Sequence, residues 1–517
     1  MNFIDYFDQG WRIAPQKVCL KFENETFTYD QIRNYSLQLA NGFDAQGLEV
    51  GFHGAVLCSN KPMGLVAVLG LLRAGAVWSP VNPRNAAPEN THFLNSVECD
   101  VLIYHSDFSD QVYQMRQSCP TIKHFICIDQ PLNGDACLSD WLTQHPANEI
   151  TLPFEPERLA ALAGTGGTTG KPKGVRITNR VFQTYMSNIF SCMNFHRDSV
   201  YLAAAPVSHA AGVLVYPVFA KGGTVLMQDG VDPQKVLAAI GDERVTMIYL
   251  PPTAIYALLA QPNVRDFDYS SLENFVCTAS PISVEKLKDA SQVFGPVMTQ
   301  TYAQTECMLI ISFMGPEDYF DENGNPHDEG RLASCGRPAP FVRVAIKDEV
   351  GNILGPNHRG EVVVQSDMVM DGYYKNPKAT KESIRDGWLH TGDIGYLDND
   401  GYLYIVDRAK DMIISGGFNI YPIEIEQVLW SHPAIEDCAV IGVPDDKWGE
   451  AVKAVVMLKP GANATEEELK AICKDQLGSV KTPKTIDVVS DLPRSGAGKV
   501  LKKELREQFW QTVTRDI

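Results

Sequence analysis

The sequence lacks the features that mark secreted and membrane-spanning proteins. Its twelve cysteines include no C-x-x-C pair, which argues against a disulfide framework or a zinc site and favours reduced thiols in the cytoplasm. The best apolar run, residues 63–77, is interrupted by glycines and Arg73 and is too short to span a bilayer. The amino terminus has no basic segment followed by an apolar core, so we expect no signal peptide.

Positive charge is also in deficit. The chain of 517 residues has 45 Lys and Arg against 63 Asp and Glu, a net charge of −18. This balance disfavours nucleic acid or an anionic membrane as a partner of the whole surface. A chain of this length exceeds what one hydrophobic core serves, so two or more domains are expected. The sequence is compatible with a homodimer.

Short β-rich runs alternate with helical patterns over the first half of the chain. A capping box at Thr28 and Gln31 begins a predicted helix that ends near Gly47. The predicted strands are residues 55–58, 101–104, 125–128, 200–202, 224–226, 247–250 and 275–277. This alternation predicts an α/β fold of doubly wound parallel sheets with helices on both faces.

The pattern changes after about residue 340. Residues 361–364 and 402–406, separated by Gly, Asp and Asn turns, predict antiparallel strands of a β-rich subdomain. A compact mixture follows, with predicted strands at 438–442 and 453–458 and a helix from Thr465 to residue 477. We therefore predict a large N-terminal domain over residues 1–409 and a small, mobile α+β domain over residues 410–517.

The most informative stretch is rich in glycine, threonine and lysine. Residues 165–174 contain four glycines, three threonines and two lysines. Glycine lets the main chain approach a ligand closely, and successive backbone amides form an anion-binding nest, so this loop is a candidate polyphosphate clamp. It is not a P-loop, because Thr165 replaces the first glycine and Pro172 follows Lys171. A flexible surface loop is the alternative.

Five further motifs follow this loop at wide intervals. They are Pro206-Val207-Ser208-His209, Tyr302-Ala303-Gln304-Thr305-Glu306, Trp388-Leu389-His390-Thr391-Gly392-Asp393, Asp407-Arg408-Ala409-Lys410-Asp411 with Ser415-Gly416-Gly417, and Pro493-Arg494-Ser495-Gly496-Ala497-Gly498-Lys499. In content and order the six motifs resemble those of the adenylate-forming superfamily, which includes acyl-CoA synthetases, adenylation domains and luciferases. The resemblance spans nearly the whole chain.

The resemblance implies a two-step reaction that uses ATP. A carboxylate attacks the α-phosphate of ATP to give acyl-AMP and pyrophosphate, and a thiol then displaces AMP. Thr305 and Glu306 match the positions that bind the α-phosphate and Mg²⁺, an ion that prefers hard oxygen ligands. The residues that the resemblance assigns to the β- and γ-phosphates are Thr165, Gly166, Gly167, Thr168, Thr169, Gly170 and Lys173.

The resemblance also implies a nucleoside site. Asp393 matches the carboxylate that accepts hydrogen bonds from both ribose hydroxyls. Arg408 would reach the ribose or a phosphate oxygen, and Tyr302 would lie against adenine. A further segment should line the adenine and acyl sites, and it consists of Thr278, Ala279 and Ser280.

Lys499 is the predicted main catalytic residue. Its glycine-rich loop can carry the ammonium into a cleft, where it would stabilise charge that develops on the carboxylate and phosphoryl oxygens. The following Lys502 and Lys503 are interpreted as solvated. Lys410 aligns with the hinge of the family, about which the small domain would rotate.

Three positions depart from the family pattern. Gly166 stands where serine is common, and Thr278 and Ala303 replace usual glycines. These changes can narrow the pocket or alter the affinity for nucleotide. None removes a charge that the chemistry needs, so an active enzyme is expected.

The acid is predicted to be apolar. Amino-acid-activating relatives have an aspartate after the aromatic residue of their Pro-x-x-aromatic motif, whereas Ala210 follows His209 here. A substrate ammonium would have no partner, and Gly212 and Tyr249 extend the small, apolar surface, so an acyl or aryl carboxylate is favoured. His209 would stack near the substrate carboxylate or gate it, and a packed histidine is the alternative.

CoA is the preferred thiol, because no carrier domain is attached and Gly416 and Gly417 would meet its pantetheine arm. A stand-alone ligase that loads a phosphopantetheinyl carrier protein is the alternative. A luciferase-like monooxygenase would need an oxygen step that no residue demands. A non-catalytic nucleotide-binding protein is disfavoured, because the motif charges Lys499, Glu306 and Asp393 are all present.

Overall fold

A computed structural model describes residues 1–132, 134–165, 172–320, 327, 329–408, 411–416, 418–445, 447–495 and 499–510. Within these residues the strands form four sheets. Two mostly parallel sheets with flanking helices come from the part of the chain before residue 340, an antiparallel sheet follows, and a smaller mixed sheet ends the chain. The predicted α/β fold class with a separate C-terminal unit is confirmed.

The chain as far as Cys192 supplies the seven-stranded sheet and the first strands of a larger one. The elements are α1 Phe3–Ile13, β1 Val18–Phe22, β2 Glu25–Thr28, α2 Tyr29–Ala45, β3 His53–Leu57, α3 Pro62–Arg73, β4 Val77–Pro80, α4 Ala87–Ser96, β5 Val101–Tyr104, α5 Ser109–Ser118, β6 His124–Cys127, β7 Ala136–Cys137, α6 Leu138–Gln144, β8 Leu159–Gly164, β9 Gly174–Thr178 and α7 Asn179–Cys192. The sheet order is β7-β6-β5-β3-β4-β8-β9. Its strands are parallel except for the hairpin of β8 and β9.

The middle of the chain completes a nine-stranded sheet. The elements are β10 Val200–Ala203, α8 Ala210–Val213, α9 Val215–Ala220, β11 Thr224–Met227, α10 Pro233–Asp242, β12 Met247–Leu250, α11 Pro252–Leu259, β13 Asn274–Cys277, α12 Val284–Phe294, β14 Met298–Gln304, β15 Cys307–Met314, α13 Pro316–Tyr319, α14 Glu329–Leu332 and β16 Arg337–Pro338. The order is β16-β15-β14-β13-β12-β10-β11-β1-β2. The six strands from β14 to β1 are parallel, and the outer strands are antiparallel.

The rest of the chain forms two smaller sheets. The elements are β17 Arg343–Lys347, β18 Gly360–Gln365, α15 Pro377–Ser383, β19 Ile384–Arg385, β20 Trp388–Leu397, β21 Leu403–Arg408, β22 Ile413–Ser415, β23 Phe418–Ile420, α16 Pro422–Trp430, β24 Ile435–Asp445, β25 Gly449–Leu458, α17 Glu466–Lys481, β26 Thr485–Val489 and α18 Lys502–Glu507. Strands β17 to β21 are antiparallel. We call the described residues from 411 onward the C-terminal lobe.

The predicted helix signals are found where the sequence places them. Thr28 and Gln31 form the reciprocal capping box at the start of α2, and Thr465 with Glu468 forms another at α17. Helical geometry in α17 is interrupted at Gly478, with φ of 77°, next to the predicted end at residue 477. The strands predicted at 101–104 and 247–250 are confirmed as β5 and β12, and the other predicted strands overlap observed ones.

The C-terminal lobe has an apolar cluster of its own. Ile413 of β22 packs with side chains of α16, β24, β25 and α17, among them Leu429, Val440, Val456 and Leu469. A much larger cluster joins the two large sheets and the helices that flank them. Each part therefore buries apolar surface independently, which is the main stabilising contribution in a folded unit.

Candidate active site

The predicted motifs of the large sheet meet at one edge. Strands β14, β13, β12 and β10 are adjacent and parallel, so their carboxyl ends lie side by side. The segments that follow them carry Thr305, Thr278, Pro251 and His209 respectively. Ligands in open α/β sheets bind outside the carboxyl ends of strands, and this edge is therefore the candidate site.

The glycine-rich loop connects β8 and β9. Gly164 and Gly174 pair across this hairpin. Thr165 N donates to the Lys173 carbonyl oxygen at 3.1 Å, and Lys173 N donates to Thr165 Oγ1 at 3.1 Å. The structure thus places the two ends of the predicted phosphate loop side by side. The predicted residues between them that lie outside the described part of the chain are Gly166, Gly167, Thr168, Thr169 and Gly170.

Tyr373 connects this loop to Glu306. Strand β9 pairs with residues 371–374, as in the hydrogen bond from Tyr374 N to the Gly174 carbonyl oxygen at 2.8 Å. Lys173 Nζ lies 4.7 Å from the centre of the Tyr373 ring, and Tyr373 Oη donates to Glu306 Oε1 at 2.7 Å. Burial, followed by the charge of Glu306, raises the pKa of Tyr373, so its hydroxyl remains a donor.

The nucleoside motif surrounds Asp393. Strands β20 and β21 place Asp393 opposite Arg408, and Arg408 Nε lies 2.6 Å from Asp393 Oδ1. The other oxygen, Oδ2, accepts from Tyr302 Oη at 2.5 Å and from Gln304 Nε2 at 2.7 Å. Asp393 is 3% exposed, so these donors replace water around a buried charge. The structure brings the predicted Tyr302, Asp393 and Arg408 together.

The charges of this cluster extend to Glu306. Burial, followed by the carboxylate of Asp393, raises the pKa of Tyr302, which keeps the phenol protonated. Desolvation opposes the charge of Arg408, but Asp393, Tyr302 and Glu306 together raise its pKa. Arg408 therefore lies in the field of both carboxylates, and the two predicted motifs belong to one site.

The segment that follows β13 has an unusual backbone. Thr278 is buried, and its Oγ1 donates to the Thr301 carbonyl oxygen at 2.8 Å, so its hydroxyl joins β13 to β14. The exposed Ala279 has φ of 78°, a left-handed conformation that costs an L-residue about 1–2 kcal/mol. Ser280 is half-buried. Strained backbone of this kind is common at functional sites.

His209 lies at the start of α8. Its Nδ1 is 3.0 Å from Ser208 Oγ, and its ring is exposed to the cleft. Desolvation by the surrounding protein lowers the pKa of His209 to about 4, so the imidazole is neutral at pH 7. Tyr201 Oη donates to the Ala211 carbonyl oxygen at 2.8 Å and holds the short helix in place.

Two of the predicted acyl residues, Ala210 and Gly212, belong to this helix. A Cβ atom at Gly212 would lie 1.7 Å from the Val207 carbonyl oxygen, so only glycine fits there. Ala210 is half-buried, and Tyr249 is buried in β12. A cavity of about 30 Å³ borders Gly212, room for one water molecule. Its apolar lining includes Val56, Leu65, Val68, Trp78 and Tyr216.

Lys499 lies on a hairpin that is defined by the antiparallel pairing of Arg494 with Val500. Ser495 N donates to the Lys499 carbonyl oxygen at 2.8 Å, and Lys499 N donates to Ser495 Oγ at 3.2 Å. Desolvation, followed by the charge of Arg408, lowers the pKa of Lys499, and Asp393 opposes this shift. The ammonium is therefore within electrostatic reach of residues that are far away in the sequence.

The interpretation of Lys502 as a solvated residue is wrong. Its Nζ lies 2.8 Å from Glu426 Oε1, and its side chain is 18% exposed. Glu426 holds the pKa of Lys502 above its ordinary value in spite of desolvation. Lys503 Nζ lies 3.4 Å from Glu507 Oε1, and both side chains are exposed. This is the arrangement expected of a solvated lysine.

The predicted CoA segment is described in part. Gly416 has φ of 57°, and a Cβ atom there would lie 2.6 Å from Cε3 of Trp448. The close approach of this ring therefore requires glycine. Gly417 and the predicted hinge residue Lys410 lie outside the described residues.

Glu306 is the predicted metal ligand. In the described ranges, no three His, Cys, Asp or Glu side chains come together as a metal site. A single carboxylate still fits Mg²⁺, because that ion usually takes one or two carboxylates together with water and substrate phosphates. Among the helices of the described part, none is long and apolar enough to cross a membrane.

The sequence analysis missed two residues of this site. Gln304 lies in the motif of residues 302–306, but the family resemblance assigns it no role. Its position between two predicted ligand-binding residues is the signal that could have identified it. No local sequence pattern indicates a role for Tyr373, because its partner Glu306 is far away in the sequence. Both are hydrogen-bond donors to carboxylates that the motifs did identify.

Comparisons with known proteins agree with this geometry. Residues 7–374 match the model of the AMP-binding enzyme family, and residues 424–499 match that of the AMP-binding enzyme C-terminal domain. A medium/long-chain-fatty-acid–CoA ligase of Mycobacterium tuberculosis is 34% identical over 95% of this chain and 87% of its own. A feruloyl-CoA synthase of Amycolatopsis sp is 35% identical over 96% and 97%.

A solved structure shares the whole architecture. ATP-bound MatB from Rhodopseudomonas palustris superposes with a TM-score of 0.89 at 27% identity, over 100% of both chains. The resemblance that the six motifs indicate is therefore confirmed. The chain belongs to the AMP-binding enzyme family.

Proposed function

We propose that this protein is an ATP-dependent acyl-CoA synthetase that acts on an apolar acyl or aryl carboxylic acid. A carboxylate oxygen attacks the α-phosphorus of ATP, the bond to the bridging β-phosphate oxygen breaks, and pyrophosphate leaves. The thiolate of CoA then attacks the acyl carbon of acyl-AMP and AMP leaves, so that a thioester forms. The observation that carries this proposal is the ion pair of the buried Asp393 with Arg408, whose charges both act on Lys499.

The phosphate loop would bind the β- and γ-phosphates. Thr165 and Lys173 fix the two ends of the loop, and the amides and hydroxyls between them would donate to phosphate oxygens. Lys173 adds a positive charge above the Tyr373 ring. The assignment of residues 166–170 to this role stays a prediction.

Asp393 would bind the ribose hydroxyls. A carboxylate has about four lone-pair positions, and the described donors Tyr302, Gln304 and Arg408 use three of them. One position, on Oδ1, is left for a ribose hydroxyl, and the second hydroxyl would have to displace Tyr302, Gln304 or Arg408. Because its pKa is raised, Arg408 remains charged and would be available to bind a phosphate oxygen.

Glu306 and Thr305 would hold the metal and the α-phosphate. The hydroxyl of Tyr373 donates to Glu306 Oε1, and the other oxygen of this carboxylate would be available to Mg²⁺. The ion, when bound, supplies positive charge that neutralises the phosphates. Tyr373 therefore orients the carboxylate toward the end of the site where Lys173 lies.

Lys499 would serve the first step. Its ammonium can bridge the attacking carboxylate and the phosphoryl oxygens, where charge develops in the transition state. Because desolvation lowers the pKa of His209 to about 4, the imidazole that would contact the acid is neutral and would leave the charge stabilisation to Lys499. Ala210, Gly212 and Tyr249 would line the acyl group.

The C-terminal lobe would move between the two steps. Rotation about Lys410, at the predicted boundary between residues 409 and 410, would withdraw Lys499 and present Gly416 and Gly417 to the pantetheine arm. The separate apolar cluster of the lobe supports such a rigid-body motion. Location in the cytoplasm, which the twelve free cysteines support, and a homodimer stay predictions.

The test is a pyrophosphate-release screen over carboxylic acids of graded length and aromaticity. Each acid is assayed with free CoA and, separately, with a phosphopantetheinylated carrier protein. We expect release that depends on an apolar acid, and a thioester product with free CoA. Turnover with the carrier protein alone would select the alternative ligase, and no acid-dependent release would contradict the proposed function.

A further inference from the structure

The hairpin that carries Lys499 is held on both sides by ion pairs. Before its turn, Arg494 Nη2 lies 2.5 Å from Asp437 Oδ2. After it, Lys502 Nζ lies 2.8 Å from Glu426 Oε1. The two carboxylates belong to β24 and α16, in the packed body of the C-terminal lobe. Lys499 is therefore on a short loop whose two ends have fixed positions.

The pair after the turn has the more deeply buried carboxylate. Glu426 is 3% exposed, and its Oε1 also accepts from Val440 N at 2.7 Å. Lys502 is the first residue of α18. Burial raises the pKa of Glu426 to about 7, and the charge of Lys502 and the hydrogen bond from Val440 N oppose this shift. The pair consequently fixes both the ammonium of Lys502 and the start of α18.

The same ammonium faces the end of β21. The carboxylates of Asp407 and Asp411 both act on Lys502, and Arg506 Nη2 lies 2.8 Å from Asp411 Oδ1. Asp407 directly precedes Arg408 in the chain. The charge cluster thus connects the end of the catalytic hairpin with the strand that carries the arginine of the nucleoside site.

We propose that Lys502 is a positioning residue for adenylate formation, which holds Lys499 against the nucleoside site through its ion pair with Glu426. The inference rests on the proposed function. Only Val500 and Leu501 lie between the two lysines, and the three steps of chain span at most about 10–11 Å, so a shift at the start of α18 reaches the catalytic ammonium. A misplacement of about 1 Å can cost roughly 10²-fold in rate.

The experiment compares Lys502→Met, which keeps most of the apolar stem and removes the charge, with Lys502→Arg. Lys503→Met is the matched control at the exposed neighbour. Adenylation is measured as acid-dependent ATP–pyrophosphate exchange, and thioester formation is measured from supplied acyl-AMP and CoA. We expect Lys502→Met to lower kcat of adenylation by about 10- to 10²-fold with little change in KM for ATP.

The other results should separate positioning from general damage. Thioester formation should fall by less than about threefold, Lys502→Arg should restore most of the adenylation rate, and Lys503→Met should match the parent enzyme. In a Lys499→Ala background, Lys502→Met should cost nothing further, because the charge that it positions is absent.

Three outcomes would overturn the inference: an unchanged adenylation rate in Lys502→Met, an equal loss in both half-reactions, or an additive loss in the Lys499→Ala background. If thermal melting shows that Lys502→Met does not fold, Glu426→Gln gives the same test, because it keeps the shape and an acceptor for Val440 N. A parent enzyme without any acid-dependent exchange would contradict the proposed function instead.

Discussion

The nucleoside site and the catalytic hairpin hold their charges in different ways. Asp393 and Arg408 face each other on paired strands, so the backbone register of β20 and β21 sets their distance. Lys499 belongs to a loop of the C-terminal lobe, and side-chain ion pairs of Arg494 and Lys502 fix the ends of that loop. The positions of Asp393 and Arg408 are therefore set by the backbone pairing of a sheet, whereas the position of Lys499 depends on side-chain ion pairs.

This difference indicates how the two parts divide the reaction. A strand register cannot change without breaking backbone hydrogen bonds, so we expect Asp393 to keep its position through both steps of the proposed reaction. A loop on a separate lobe can leave the site as a unit. We therefore expect Asp393 to matter in both half-reactions and Lys499 in only one.

The largest effect is expected from Lys499→Ala. Removal of one preorganised charge typically costs about 10²- to 10³-fold in rate, and here the loss should be confined to ATP–pyrophosphate exchange. Thioester formation from supplied acyl-AMP should stay nearly intact. An equal loss in both half-reactions would mean that the hairpin stays at the site throughout, and the division between the two regions would be wrong.

A pH profile sharpens the same contrast. Because desolvation and Arg408 lower the pKa of Lys499 below its ordinary 10.5, the ammonium loses its proton at a lower pH than a free lysine. Adenylation should therefore decline on the alkaline side with an apparent pKa below 10.5, about tenfold per pH unit beyond it. The single-turnover rate of thioester formation should not show this decline.

Asp393→Asn should act on both half-reactions. The change weakens hydrogen bonds to a charged group by about 1.5 kcal/mol, which corresponds to roughly tenfold in nucleotide affinity. Calorimetric titration with AMP and ATP measures it. Asp367→Asn is the control, because that side chain is 77% exposed. Unchanged affinity in Asp393→Asn would remove Asp393 from the nucleoside site.

The smallest effect is expected from Tyr373→Phe. This change keeps the ring beneath Lys173 and removes the hydrogen bond to Glu306, worth about 0.5–1.5 kcal/mol. The concentration of Mg²⁺ that gives half-maximal exchange should rise about 2- to 10-fold. Tyr374→Phe, which loses only a hydrogen bond to Glu98, should behave as the parent. Equal behaviour of both variants would contradict the orienting role of Tyr373.

Much of this architecture could be predicted because it is local in the sequence. Alternating strand and helix patterns gave the α/β fold class, and capping residues such as Thr28 and Thr465 gave helix starts, since each signal spans a few residues. The glycine-rich loop and the charged motifs could be identified for the same reason. Their meeting around one nucleotide was implied only by the family resemblance.

The contacts between distant segments could not be predicted. The neighbouring Lys503 and Glu504 suggest an exposed helix, so the sequence favours a solvated Lys502. This interpretation is wrong because the partner of Lys502, Glu426, lies in α16. Tyr373 contacts Glu306 only because β9 pairs with residues 371–374. The register that places Asp393 opposite Arg408 depends on a bulge between residues 394 and 395, which no local pattern marks.

The pairing of β9 with residues 371–374 has a consequence for making hybrids with related enzymes. Tyr374 N and Arg176 N donate across this junction, to the carbonyl oxygens of Gly174 and Gly372, and the predicted phosphate loop ends where β9 begins, at Gly174. Because the loop leads directly into β9 and β9 pairs with residues 371–374, both segments should be inherited from the same parent. A hybrid whose crossover point lies between residues 178 and 371 would pair β9 of one parent with residues 371–374 of the other. We expect this pairing to displace the predicted phosphate loop, even where every motif is retained.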